Sequence, residues 1–112
     1  MKIALFNLSW IYATNNDEQF RNGKEAIRLS EKLCSLQDYK HPLSLDALAA
    51  AYAEIGKFDT AVSTAKKAVE LALLYGPNEL VSGINKRISL YKSGQPYRQV
   101  PQKKIYTETK NK

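Results

Sequence analysis

Residues 45–71 read LDALAAAYAEIGKFDTAVSTAKKAVEL, and they decide the fold. Leu45, Leu48, Ala49 and Tyr52 recur at the three-and-four spacing of one helix face. Gly56 then supplies a stop, since a left-handed residue after a helix costs glycine nothing. Phe58 and Asp59 open a second helix, where Ala61, Ala65 and Ala68 recur as small residues. Small residues let two helices approach closely, and the large ones fill the space between them. The stretch therefore predicts a close-packed helical hairpin.

The pattern occurs twice. Leu5, Leu8, Ser9 and Tyr12 stand forty residues before Leu45, Leu48, Ala49 and Tyr52. Ala26, with Ser30 and Leu33 after it, follows as Ala61 does. This doubled pattern resembles the tetratricopeptide repeat, whose signature runs W-x2-L-G-x2-Y, then A-x3-F, then P. Leu45, Leu48, Ala49, Tyr52 and Ala61 fill the matching places. Leu45 replaces the Trp, Ala49 the Gly and Ala65 the Phe, and Leu73 stands where the Pro belongs. From Tyr12 to Ala26 is 14 residues, against nine from Tyr52 to Ala61, so the first repeat carries a five-residue insertion. Lengthening a loop is thermodynamically cheap.

The resemblance covers residues 2–97 and implies an all-α fold. Two tetratricopeptide hairpins, about 2–40 and 42–75, would form a right-handed α-solenoid fragment closed by a capping helix at 78–93. Together they make one domain, 1–97, followed by a disordered basic tail, 98–112. Local signals agree. Asn22 with Glu25 resembles a capping box that opens a helix running to about Leu36. Pro42 suits a first helical turn, where its missing N–H costs nothing. The third helix is expected at about 43–55 and the fourth at about 58–75. Gly76-Pro77 reads as a left-handed stop followed by a start. On the fifth helix Val81, Ile84, Ile88 and Tyr91 share a face; Asn85, Lys86, Ser89 and Lys92 turn away. Gly94 ends that helix, and Tyr97 is expected to fold back on the helices before it.

The first helix, 2–14, is apolar nearly all round, so it should be buried on more than one side. Three repeats are usually needed for a stable array. Two repeats and a cap therefore point to an end piece of a longer array, or to a second copy of this chain.

Composition narrows the function. Hydrophobic residues at 44% and charged residues at 25% are those of an ordinary globular domain. Of the net charge of +6, residues 95–112 contribute +4, five basic side chains against Glu108. The basic balance is therefore mostly a tail property. Cys34 is alone, which excludes an intrachain disulfide and fits a reducing, cytoplasmic location. No apolar run approaches the ~20 residues of a membrane helix. His41 has no nucleophile or metal-ligand pattern around it, and no Gly-rich phosphate loop is present. Catalysis, metal binding and a cofactor are not expected.

The resemblance implies binding. In tetratricopeptide arrays the first helix of each pair lines a concave groove that holds a peptide or a partner helix. The matching residues here are Ile3, Phe6, Asn7, Trp10 and Thr14, then Asp46 and Glu54, then Asn85 and Lys92 on the cap. Phe6 and Trp10 are rigid apolar anchors, and the Asn7 amide both donates and accepts. The Lys/Asn/Arg clamp that grips chaperone carboxylates has no counterpart, since Phe6, Trp10 and Ala47 stand there beside Asp46 and Glu54. Nucleic acid needs a basic face, and only Lys92 supplies that charge, apart from the tail. The leading expectation is an interaction scaffold within a larger protein, its partner a protein or peptide. The alternatives are a homodimer formed through the apolar first helix, and a regulatory or targeting segment of a larger bacterial enzyme.

Overall fold

The computed structural model describes residues 1–99. They form five α-helices in chain order: α1 (Lys2–Thr14), α2 (Gly23–Leu36), α3 (Pro42–Glu54), α4 (Phe58–Tyr75) and α5 (Asn78–Lys92). One 3-10 turn, Glu18–Phe20, sits in the loop after α1, and no strand occurs among the described residues. Each helix falls within about a residue of its expected bounds, the ordinary uncertainty of a helix end.

The turn chemistry explains most of those bounds. Pro42 stands in the first turn of α3. Gly56 follows α3 at φ +82°, as the left-handed stop requires. Asn22 accepts the Glu25 amide at 3.2 Å, so half of the capping box forms. The other half does not: the Glu25 carboxylate turns outward to Arg28 at 2.7 Å. Gly76 also departs from expectation. It is extended, φ −97° and ψ 172°, and simply leads the chain into Pro77.

The core sits where the small residues predicted it. Leu45, Leu48, Ala49 and Ala53 of α3 meet Ala61, Ala65 and Ala68 of α4, and Ile84, Ile88 and Tyr91 of α5 close the cluster. A second cluster joins Ala13 of α1, Ala26 of α2 and Ala50 and Ala51 of α3. α3 is thus the central helix, packed on α1, α2 and α4 and buried nearly all round. Buried Ser9, Thr14 and Ser30 return their hydroxyls to carbonyls of their own helices, at 2.9, 2.7 and 2.6 Å. That keeps polar side chains tolerable at close interfaces.

α1, expected to need cover on more than one side from a preceding repeat or a second copy, has Ile3, Leu8 and Ile11 exposed here. α2 and α3 take the Leu5, Ser9 and Ala13 side, and none of the described residues covers the opposite one.

Candidate functional site

The residues expected to line one open groove divide into three places. Ile3 and Phe6 border a shallow depression of about 200 Å³ with Leu33, Gln37, His41 and Leu43, at the end where α1, α2 and α3 meet. Asn85 lies on the far side of α5 beside Val81, Ser82 and Lys86. Lys92 faces α4, next to Phe58, Asp59 and Val62. Asn7 is exposed on α1. Trp10, Thr14 and Glu54 come together against a stretch of the chain itself, and Asp46 joins them through Arg87.

That stretch is Tyr97–Gln99. After α5, Gly94 takes φ +78° and turns the chain back over α1 and α3. The Tyr97 ring lies 5.8 Å from Trp10, whose indole is in turn stacked on Phe6 at 6.0 Å. The Arg87 guanidinium of α5 sits 5.4 Å from the Trp10 ring and 5.1 Å from Tyr97. A cation over two aromatic faces is favourable, more so when partly desolvated.

Two acidic side chains of α3 anchor the arrangement. Asp46 is 2% exposed and accepts Arg87 at two points, Nε to Oδ1 at 2.9 Å and Nη2 to Oδ2 at 2.6 Å. The two-point geometry is that of an ionised pair. Burial pushes the Asp46 carboxyl above the usual carboxylate range, and Arg87 offsets this only in part. Burial opposes the Arg87 charge as well, but Asp46 outweighs it and holds the guanidinium above its usual range. Asp46 was expected to face an open groove. Here it is a covered partner of Arg87. Thr14 is likewise fully buried, its hydroxyl on the Trp10 carbonyl.

Glu54 carries the second anchor. Arg21 approaches its Oε2 at 3.4 Å, and Arg98 approaches Oε1 at 2.7 Å without the alignment of a hydrogen bond.

The same stretch finishes α1. A helix leaves its last four carbonyls without helical partners. In α1 the Ile11 carbonyl takes Asn15 N–H at 3.0 Å and Tyr12 takes Asn22 N–H at 2.8 Å. Ala13 receives the Arg98 guanidinium at 3.4 Å, and Thr14 receives the Gln99 N–H at 2.8 Å. Trp10 Nε1 donates to Gln99 Oε1 at 3.1 Å. The positive Arg98 also stands at the negative end of the helix dipole. Beneath this face the Tyr91 hydroxyl is buried and has no partner among the described residues.

Sequence reasoning placed Tyr97 against the helices but overlooked Arg21, Arg87, Arg98 and Gln99. Arg87 had a visible signal, because it interrupts the Ile84, Ile88, Tyr91 stripe at helical spacing. Arg98 and Gln99 were assigned to the tail from 98 onward. They are fixed on α1, and residues 100–112 lie outside the described residues.

Cys34 is fully buried, and burial pushes its thiol up to about 11, which suits a core residue rather than a nucleophile. Among the described residues no helix is long and apolar enough to cross a membrane. The chain matches no protein-family model, no curated protein and no solved structure.

Proposed function

We propose that this chain is a protein-interaction module of the tetratricopeptide type, two helical hairpins and a cap, which grips an extended peptide across α1, α3 and α5. One observation carries the reading: the seating of Tyr97–Gln99 on that face. It uses the contacts by which proteins hold peptides. A backbone N–H meets a helix-end carbonyl, an aromatic ring packs on Trp10, and a guanidinium meets a carboxylate. Selection of displayed peptides on the full chain, followed by NMR shift mapping, tests it. Shifts centred on Trp10, Ala13 and Thr14 support the reading. Binders that map only to the outer side of α4 and α5 reject it.

A second reading has its own observation. Met1, Ile3, Leu8 and Ile11 remain exposed on a helix whose only side-chain charge is Lys2. An exposed apolar stripe of this kind suits a second copy of the chain. Light scattering decides it: a dimer that Leu8→Glu converts to monomer supports self-association, and a monomer at high concentration excludes it.

A further inference from the structure

We infer that Tyr97–Gln99 is an internal stand-in for the partner, and that the face accepts in trans a foreign extended segment with the order aromatic, arginine, hydrogen-bond acceptor. The inference rests on the peptide-binding reading above and gives it a ligand chemistry.

Each position of the stand-in meets a different demand. Tyr97 fills the space beside Trp10 and Arg87, where any flat ring gains the cation contact. Arg98 answers Glu54, the Ala13 carbonyl and the Tyr97 carbonyl through one nitrogen, Nη1, at 2.7, 3.4 and 3.2 Å. The long, positively charged side chain thus reaches both the Glu54 carboxylate and the end of α1 from one position. Gln99 presents an N–H to Thr14 and an acceptor to Trp10 Nε1. Tyr97, Arg98 and Gln99 thus meet Trp10, Ala13 and Thr14 of α1 in turn, with Arg87 and Glu54 flanking them.

The stand-in is built to leave. Residues 95–98 have no regular secondary structure, and Gly94 pivots with nothing near its α-carbon substituent position. The Trp10–Gln99 bond is solvent-exposed and the Arg98 side chain is 31% exposed. A segment held by few backbone bonds and an exposed side-chain bond opens locally at low cost, with the partly buried Arg98–Glu54 pair its main restraint. The unpartnered Tyr91 hydroxyl beneath the face is capacity that the internal segment leaves unused.

A foreign segment is favoured over exchange between two copies. Tyr97 lies only three positions beyond Gly94, a reach of roughly 11 Å. A second copy would have to bring the end of its own α5 to the place where this α5 already stands.

The test uses the full chain with Tyr97→Ala/Arg98→Ala. Trp10 is the single tryptophan, so its emission reports on the site. The probes are the acetylated, amidated peptide QPYRQ and the same peptide with alanine for arginine. The expected result is a red-shifted Trp10 emission in the variant. QPYRQ reverses it saturably and the alanine peptide does not. Glu54→Gln should weaken QPYRQ by about tenfold, the loss of one charge contact. No saturable response in a variant that keeps its helical circular dichroism overturns the inference. Should the variant lose that spectrum, amide exchange on the unaltered chain decides. A Gln99 amide that exchanges faster than those of Ala65 and Ile88 supports a leaving segment, and equal rates overturn it. A dimer that QPYRQ splits also overturns it, in favour of a second copy. Displayed peptides that perturb Trp10 yet lack an aromatic–arginine pair overturn this inference while leaving the broader reading intact.

Discussion

Asp46, nearly sealed from solvent on α3, takes its counter-charge from Arg87, 41 residues further along on α5. A buried carboxylate without a partner costs far more than a buried pair is worth. Arg87→Met should therefore destabilise the fold by about 3 kcal/mol. Asp46→Leu added to it should recover most of that loss, because the unpaired charge goes too. Urea midpoints of the two variants check this. A double variant no better than Arg87→Met would mean that the guanidinium matters through the Trp10 and Tyr97 rings instead.

Ala65 is fully buried where α4 meets α3 and α5. A side chain three carbons larger has nowhere to go without separating the helices. Overpacking a tight core costs roughly 1–3 kcal/mol. Ala65→Leu should lie at the upper end of that range, and thermal melts give the answer. Ala→Ser at the same place is the milder control.

Tyr91 points to an improvement. Its ring fills the core, while its hydroxyl is buried and unpartnered among the described residues. An unmet buried donor costs about 1–3 kcal/mol. Tyr91→Phe keeps the ring and should raise the melting temperature. A fall would show that a water or another group satisfies the hydroxyl.

The alkaline limb of stability follows from the same burial. Burial pushes the Cys34 thiol from 9.0 up to about 11, and burial followed by the Asp46 charge raises the Tyr91 phenol above 10.0. The folded chain thus keeps these protons to higher pH than the unfolded chain does. Stability from this source is complete below pH 9 and is lost as pH rises from 9 towards 11. Urea midpoints measured across that window should decline, and Cys34→Ala should flatten part of the decline. A flat profile in the unaltered chain would contradict it.

The helices were legible because their signals are local. Pro42, Gly56 and Gly94 act within a turn, and Leu45, Leu48 and Ala49 share a face whatever the rest of the chain does. The two misread turns, Glu25 and Gly76, are places where a neighbour competed: Arg28 for the carboxylate, and Pro77 for the chain direction. The site was half legible. Trp10, Thr14, Asp46 and Glu54 were grouped by what the resemblance implies for the first helix of each hairpin. Their partners do not follow from periodicity. Arg98 meets Ala13 across 85 residues, and Arg87 meets Asp46 across 41. Only the way the helices stack brings such pairs within reach. Asn85 and Lys92 stand off the α1–α3 face because Ile84, Ile88 and Tyr91 turn inward on α5.

The closure of α1 by Arg98 and Gln99 also says something about birth order. A ribosome releases the first helix well before it makes the two residues that satisfy its final carbonyls. At about 5–20 residues per second the helix waits several seconds in that unfinished form. Throughout that wait Glu54, once made, lacks Arg98, and Trp10 lacks the Tyr97 ring. The last two carbonyls of α1 therefore gain their partners only after the rest of the described chain has been made.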